Sequence, residues 1–353
     1  MDNYTFRNRL KRIRDGISRS GADCLIVTKP ANVTYVTGFT GDDSWAIVSP
    51  RKVILVTDSR YTEQAAQQSP LCRIVRRNNA MTEAVAKLLK YQGGIKLAAV
   101  EKTTSVADFE GLKRRLSCRL RTAEGIIESV RRTKDKCEIA AIRAAAKIAR
   151  RAFEETIKRI KPGLSENEVA GIIDFQIRKF GGKNSFETIA AFGPNAARPH
   201  HQPTARKLHV NDTVLIDFGV RYNGYSCDLT RCFPLGRVHP LYKKAFAAVE
   251  NARDAALKLV RAGVEVGRVD TAAKEVIKNA GLPVYGHGTG HGLGLEVHEL
   301  PPVSDKVKGN LRAGDVITIE PAVYITGRLG VRIEDDFLVT ENGYVALSQG
   351  SER

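Results

Sequence analysis

The chain has 353 residues, 42% of them hydrophobic, and a formal net charge of +17 at pH 7. That length accommodates two domains with sizeable cores, and no apolar run approaches the roughly 18–20 residues that would span a bilayer. The segment Met1-Asp2-Asn3-Tyr4-Thr5-Phe6-Arg7 lacks an apolar stretch with a small-residue cleavage site, so no secretory signal is expected. Six cysteines (Cys24, Cys72, Cys118, Cys137, Cys227 and Cys232) lie without Cys-x-x-Cys spacing. Reduced thiols and a cytoplasmic location fit that pattern better than a disulfide framework. A basic balance raises the question of a nucleic-acid partner. The basic residues are dispersed, however, with short clusters at Arg7–Arg14, Lys113–Arg115 and Arg131–Lys136, no interleaved aromatics and no zinc-finger spacing. A generally basic surface is therefore expected, with neither a specific nucleic acid nor a membrane as partner.

In chain order, Leu10, Ile13 and Ile17 recur at helical spacing and predict an amphipathic helix over residues 7–20. Short apolar runs at Cys24–Val27, Trp45–Val48, Val53–Thr57 and Leu97–Val100 read as buried strands, and Tyr61–Gln68 and Met81–Tyr91 as helices. This alternation predicts a compact α/β domain over residues 1–125. The turn Asp58-Ser59-Arg60-Tyr61 reads as a surface turn. Beyond the basic boundary stretch, Ile139, Ile142, Ala146, Ala149, Phe153, Ile157 and Ile160 mark one face of a long helix, which Lys161-Pro162-Gly163 ends. Ser165-x-x-Glu168 is a capping box that opens the next helix, to about Phe180. Glu187–Phe192, Thr213–Val220 and Gly224–Phe233 read as extended, the last two joined by an Asn-Gly hairpin turn. Helices follow at Pro240–Ala262 and Val269–Asn279, then strands at Val316–Glu320, Val331–Val339 and Tyr344–Leu347. Residues 126–353 are thus expected to form an α+β domain on antiparallel strands.

Gly286 to Glu299 reads Gly-His-Gly-Thr-Gly-His-Gly-Leu-Gly-Leu-Glu-Val-His-Glu and holds three of the seven histidines. So much glycine makes a poor helix; the segment reads as irregular or extended backbone that brings His287, His291 and His298 to a crowded site. Acids flank it in sequence. Asp217 stands alone in the apolar run Leu215–Gly219, and a buried carboxylate is costly unless it is paired or binds metal. Period-two alternation places Ser226, Asp228 and Thr230 on one face of the returning hairpin arm and Cys227 on the other. Thr318, Glu320 and Ala322 are expected to share a face, as are Arg332, Glu334 and Asp336. Cys232 shares Asp228's face, which leaves a soft ligand conceivable there, while His201, His209 and His239 are expected to be surface or packing residues.

Several motifs together resemble the metallopeptidase family that contains aminopeptidase P, prolidase and the methionine aminopeptidases. They are Ala197-Arg198-Pro199-His200, Asp217-Phe218-Gly219, Ser226–Arg231, the His287–Glu299 loop, Ile319-Glu320-Pro321 and Gly330–Asp335. The loop's His-Gly-x-Gly-His-x-x-Gly-Leu-x-x-His-Glu pattern is similar to the Xaa-Pro branch. The resemblance covers residues 126–353 strongly. Through Val36–Gly41 and Thr57–Tyr61 it extends more loosely to a creatinase-like N-terminal domain. It implies a C-terminal pita-bread fold, with Asp217, Asp228, His291, Glu320 and Glu334 binding two divalent metals and Asp228 and Glu334 bridging them. Hard oxygen donors with one imidazole favour Mn²⁺, with Co²⁺, Fe²⁺ or Zn²⁺ as alternatives. Such a pair shares a water and lowers its pKa toward ~7, giving a bridging hydroxide nucleophile. The resemblance also implies that His298 contacts the scissile region, that His200 and His287 line the substrate pocket, and that Glu320 shuttles a proton. Arg332, on the expected strand face of Glu334, is expected to orient a ligand carboxylate, with Tyr324 as the lesser candidate for that role. The expected enzyme is an Xaa-Pro aminopeptidase acting on proline-containing peptides as a homodimer. The alternatives are a prolidase restricted to dipeptides and a non-catalytic peptide- or RNA-binding relative.

Overall fold

The computed structural model describes residues 3–237 and 239–349, with side chains from Thr5 onward. The chain divides into two compact units, residues 1–131 and 132–353. The first contains α1 (Asn3–Arg19), β1 (Cys24–Val27), α2 (Pro30–Thr37), β2 (Trp45–Val48), β3 (Val53–Thr57), α3 (Thr62–Gln68), β4 (Arg73–Arg76), α4 (Met81–Gln92), β5 (Leu97–Glu101), α5 (Val106–Arg115), β6 (Arg119–Ala123) and α6 (Ile126–Arg131). Its sheet runs β4-β3-β2-β1-β5-β6. β1, β2 and β3 pair antiparallel, while β3–β4, β1–β5 and β5–β6 pair parallel. The strands expected from continuous apolar runs are the central ones, β1, β2 and β3 buried along their whole length and β5 at every residue but Leu97. The edge strands carry exposed arginines, at both ends of β4 (Arg73 and Arg76) and at alternate positions of β6 (Arg119 and Arg121), and these charges blunt further strand pairing. Helix α6 packs against α1 and α2, so the first unit runs beyond residue 125, where the sequence placed its end, to Arg131. Asp58 caps a single 3-10 turn over Ser59–Tyr61 and pairs with Arg60 at 2.6 Å.

The second unit contains α7 (Lys136–Ile157), α8 (Glu166–Lys179), β7 (Lys183–Asn184), β8 (Ile189–Phe192), β9 (Thr213–Tyr222), β10 (Tyr225–Pro234), α9 (Pro240–Leu257) and α10 (Val266–Asn279). There follow β11 (Gly290–Gly292), β12 (Glu299–Val303), β13 (Val316–Ile319), β14 (Ala322–Ile325), β15 (Leu329–Arg332), β16 (Asp335–Val339) and β17 (Tyr344–Ala346). The expected capping box holds: Ser165 N–H donates to Glu168 Oε2 at 2.6 Å, and Glu168 N–H donates to Ser165 Oγ at 3.2 Å. Asn223 and Gly224 both take positive φ, 50° and 85°, which makes the tight turn that pairs Tyr222 with Tyr225. α7 and α8 cover the β8–β9–β10 sheet through a core that includes Ile173, Ile177, Ile216, Phe218 and Val220. Full burial of such a side chain is worth about 1.5–3 kcal/mol. α9 and α10 pack on a second core with β13, β15 and β16, in which Ile317, Val331 and Phe337 are fully buried.

The strands of this unit are antiparallel throughout their pairings, as expected. The segment Val331–Val339 differs from expectation. It is two strands, broken at Ile333-Glu334, with β15 pairing β14 in one sheet and β16 lying in the order β12-β11-β13-β16-β17 in another. Glu334 instead bridges to Thr230 on β10, and its N–H donates to the Thr230 carbonyl at 3.2 Å. The break turns one acid out of a buried ladder toward the hairpin, so Arg332, Glu334 and Asp336 do not share one continuous strand face. Among the described residues no helix is long and apolar enough to cross a membrane.

Candidate active site

The β9–β10 register pairs Asp217 with Thr230 and Asp228 with Gly219. Asp217, Thr230 and Asp228 therefore lie on one face of the hairpin, Asp217 directly opposite Thr230 and diagonal to Asp228, which the alternation of β10 anticipated. Gly219 stands on this face for a steric reason: a Cβ there would lie 2.0 Å from Ser185 Oγ and 2.5 Å from Phe186. Opposite the hairpin, β11 carries His291, the end of β13 carries Glu320, and the break after β15 presents Glu334. One ligand-capable atom from each of Asp228, His291 and Glu334 lies within 4.8 Å of the other two. His291 Nε2 is 3.8 Å from Asp228 Oδ2 and 3.6 Å from Glu320 Oε1.

Asp217 joins this group through Arg332, whose Nη2 donates to Asp217 Oδ2 at 2.5 Å. The same guanidinium donates from Nε to Thr230 Oγ1 at 3.1 Å, and from Nη1 to Tyr324 OH at 2.6 Å and the Pro199 carbonyl at 3.2 Å. Thr230 Oγ1 in turn donates to Glu334 Oε2 at 2.7 Å. Burial works against the charge of Arg332, yet Tyr324, Asp217, Glu334 and Glu320 outweigh it and hold the group well above its ordinary range.

The four acids are poorly served without a cation. Burial first, then mutual repulsion, pushes Asp228 and Glu334 well above the usual carboxylate range. Burial raises Asp217 against the pull of Arg332, and pushes Glu320 up to about 8. Asp217 Oδ1 and Asp228 Oδ1 are buried without a hydrogen-bond partner. His291 Nδ1 lies 3.2 Å from the Gly292 carbonyl, to which it can only donate, so the lone pair of Nε2 faces the acids. Burial, and then His298, holds this imidazole down at about 4, neutral at pH 7. Unpartnered carboxylate oxygens, a neutral imidazole lone pair and hard donors converging on one point fit a divalent cation.

These groups floor a cavity of about 560 Å³, whose walls include His200, His287, His298 and Phe186. The His298 ring lies edge-on to His291 with centroids 4.3 Å apart. His287 Nδ1 donates to the Gly288 carbonyl at 2.8 Å, which leaves Nε2 to accept from Tyr324 OH at 3.3 Å. Burial lowers this imidazole to about 4. The cavity thus gathers every residue that the sequence singled out as catalytic, orienting or metal-binding, with Tyr324 behind the wall on Arg332. His201 also reaches the cavity wall, but its buried ring is committed to Glu166 Oε2 at 2.9 Å. His239 caps α9, and Cys232 Sγ lies 3.6 Å from the Gly330 carbonyl, turned to the α9 core and not to the acids.

Two contributors went unremarked as site residues in the sequence. Thr230 connects Arg332 to Glu334, and its position opposite Asp217 is readable once the two-residue turn fixes the register. Asp336, fully buried on β16, accepts the Asp228 N–H at 3.2 Å and is itself pushed well above its ordinary range by burial. Its signal was a second acid at the head of an apolar strand.

A buried cluster of four carboxylates and one imidazole at the floor of a cleft defines a metal-dependent hydrolase. Residues 140–341 match Metallopeptidase family M24, and residues 9–133 match the Creatinase/Prolidase N-terminal domain. The chain belongs to metallopeptidase family M24, with a creatinase-like α/β domain preceding its pita-bread catalytic domain. It is 33% identical to the uncharacterized peptidase YqhT of Bacillus subtilis, over 95% of this chain and 96% of that one. The structure of an Xaa-Pro dipeptidase from Bacillus anthracis is similar with a TM-score of 0.94, at 32% identity and covering 99% of both chains. That of an X-Pro aminopeptidase from Thermotoga maritima gives a TM-score of 0.88 at 32% identity, covering 96% of this chain and 99% of that one.

Proposed function

We propose that the protein hydrolyses the peptide bond preceding proline and releases the N-terminal residue from peptides with proline second. Asp217, Asp228, His291, Glu320 and Glu334 hold two divalent ions in this reading, Mn²⁺ first, with Co²⁺, Zn²⁺ or Fe²⁺ as alternatives. When bound, such ions polarise the scissile carbonyl and lower the pKa of water toward neutrality. The remaining work falls to the protein. Glu320 takes a proton and passes it to the departing proline nitrogen, a secondary amine that must be protonated to leave. His298, beside His291, and His200 face the scissile region. Both ring nitrogens of His287 are engaged, so this imidazole shapes the wall and holds no proton to give. Arg332 orients Asp217 and, through Thr230, Glu334. The cytoplasm is the proposed location, consistent with six unpaired cysteines, and a homodimer is the proposed assembly.

The observation that carries the preference for longer peptides is the commitment of Arg332. Among the described residues it is the one lysine or arginine on the cavity wall, and Asp217, Tyr324, Thr230 and Pro199 take four of its five N–H donors, with the Asp217 carboxylate already paired to its charge. The free carboxylate of a dipeptide finds no uncommitted cation there, whereas a longer peptide presents a neutral amide. The second reading, a dipeptidase, is favoured by the similarity to the Bacillus anthracis Xaa-Pro dipeptidase. Turnover of Ala-Pro-Ala and Ala-Pro after reconstitution with Mn²⁺, Co²⁺ or Zn²⁺ separates the two. Preferential cleavage of Ala-Pro-Ala is expected. Cleavage of Ala-Pro alone would select the dipeptidase, and inactivity on both with every metal would sink the function.

A further inference from the structure

The loop that carries His287 and His291 is rich in glycine, and glycine imposes little geometry of its own. Something outside the loop must fix it. Behind it, away from the cavity, lies Asp270 on α10, fully buried. Its Oδ1 accepts from Thr289 N at 2.9 Å and from Thr289 Oγ1 at 2.7 Å. Its Oδ2 accepts from Lys274 Nζ at 2.6 Å and from Asp305 N at 2.8 Å. One carboxylate therefore ties together α10, the histidine loop and the turn that follows β12. Because the Thr289 hydroxyl donates to Asp270, Tyr285 OH must donate to it, at 2.5 Å. The Tyr285 ring lies against His287 with centroids 4.8 Å apart. On its other side Thr289 accepts the backbone N–H of Glu320 at 2.7 Å.

We propose that Asp270 is a positioning residue for the metal centre: through Thr289 it sets the loop that places His287 and His291 and the strand end that places Glu320. This rests on the assignment of His291 and Glu320 as metal ligands. A buried carboxylate with four donors on it is a satisfied, rigid anchor, and its replacement by an isosteric amide does not preserve the pattern. In Asp270→Asn the amide group must point its N–H donors either at Lys274 and the Asp305 N–H or at Thr289. Each choice sets donor against donor.

The test is calorimetric titration of Mn²⁺ into the metal-free full-length protein, with kcat and KM on Ala-Pro-Ala measured in parallel. D270N is expected to weaken Mn²⁺ binding by about 10–100-fold and to lower kcat comparably, with KM near that of wild type. Asp315→Asn is the control, because Asp315 is an equally buried acid that binds Arg132 at 2.7 Å and lies off the cavity. It is expected to lower Tm without changing Mn²⁺ affinity. A folded D270N with wild-type affinity and kcat overturns the proposal, as does an equal affinity loss in D315N at matched Tm. If D270N does not fold, Thr289→Val deletes one of the Asp270 bonds and Thr289→Ser restores it. Serine is expected to recover most of what valine loses, and equal values in the two overturn the proposal. Metal affinity reads the loop whatever peptide is cleaved. A wild type that binds Mn²⁺ but cleaves no Xaa-Pro substrate therefore counts against the proposed function and leaves the positioning result standing.

Discussion

Arg332 serves acceptors on four separate segments, and the planarity of its guanidinium is what allows this. Four of the five N–H donors in its fixed fork reach Asp217, Thr230, Tyr324 and Pro199 at once. A lysine offers three donors from one point and cannot span them. In Arg332→Lys, Asp217 Oδ2 and Thr230 Oγ1 lose their shared partner, and Glu334 loses the constraint that reaches it through Thr230. The expected result is a loss of about 10–100-fold in kcat/KM on Ala-Pro-Ala, the range typical for groups that hold metal ligands in place. Steady-state kinetics on a folded variant check it, and wild-type values would show that the fork is dispensable. The same residue illustrates a limit of alternation. Its closeness to Glu334 looked like a shared strand face, but the link runs across the hairpin through the Thr230 hydroxyl.

Among the elements, β11 shows how closely backbone is packed beneath the site. A Cβ on Gly290 would lie 1.9 Å from the Thr318 carbonyl oxygen, well inside contact distance and against backbone that cannot swing away. Gly290→Ala is therefore expected to prise β11 from β13, carrying His291 away from Glu320. Overpacking of this kind costs about 1–3 kcal/mol, so a fall in Tm together with loss of Mn²⁺ binding is expected. Calorimetry on the purified variant reads both, and an unchanged metal affinity would argue that the loop tolerates displacement. The glycine pattern and the apolar strands were legible in the sequence because burial on both faces writes a continuous apolar run, as in β1, β2 and β3. What was not legible was structure made by long-range pairing. β4, with an arginine at each end, and β6, with arginines at 119 and 121, gain their strand character from a neighbour. Helix α2 begins at a proline, after a turn whose Thr28 and Lys29 N–H groups donate to Glu101, 2.6 and 2.7 Å away and more than seventy residues on. The break at Ile333-Glu334 follows no breaker residue. It exists because Glu334 pairs with Thr230 across the sheet, a choice that local propensity does not record.

At the scale of the whole molecule, the same acids make stability depend on both pH and metal. In the metal-free protein Glu320 titrates at about 8, mainly through burial, against an ordinary value near 4.3 in an unfolded chain. Between those values the folded state holds the extra proton, so this carboxyl's contribution to stability falls as pH rises. Asp228 and Glu334, raised well above their range, act in the same direction. His287 and His291 act oppositely, because burial holds both at about 4 while an unfolded histidine titrates near 6.5. Between about 4 and 6.5 the unfolded chain binds more protons at these two sites, so they add stability as pH rises through that window. Above about 6.5 their slope shrinks and is nearly gone about one unit higher, while the three raised carboxyls outnumber the two imidazoles and decide the sign. Metal-free stability is therefore expected to fall from about pH 6.5 to pH 8. Divalent ions bind the deprotonated carboxylates, so their affinity rises over the same interval. An ion at 100 times its Kd stabilises by about 2.7 kcal/mol, and more as Kd drops at fixed concentration. The Tm difference between Mn²⁺-loaded and chelator-treated protein should widen steadily from pH 6.5 to 8 in scanning calorimetry. A difference that stays constant or narrows would mean that the buried acids are not the groups through which metal and protons compete.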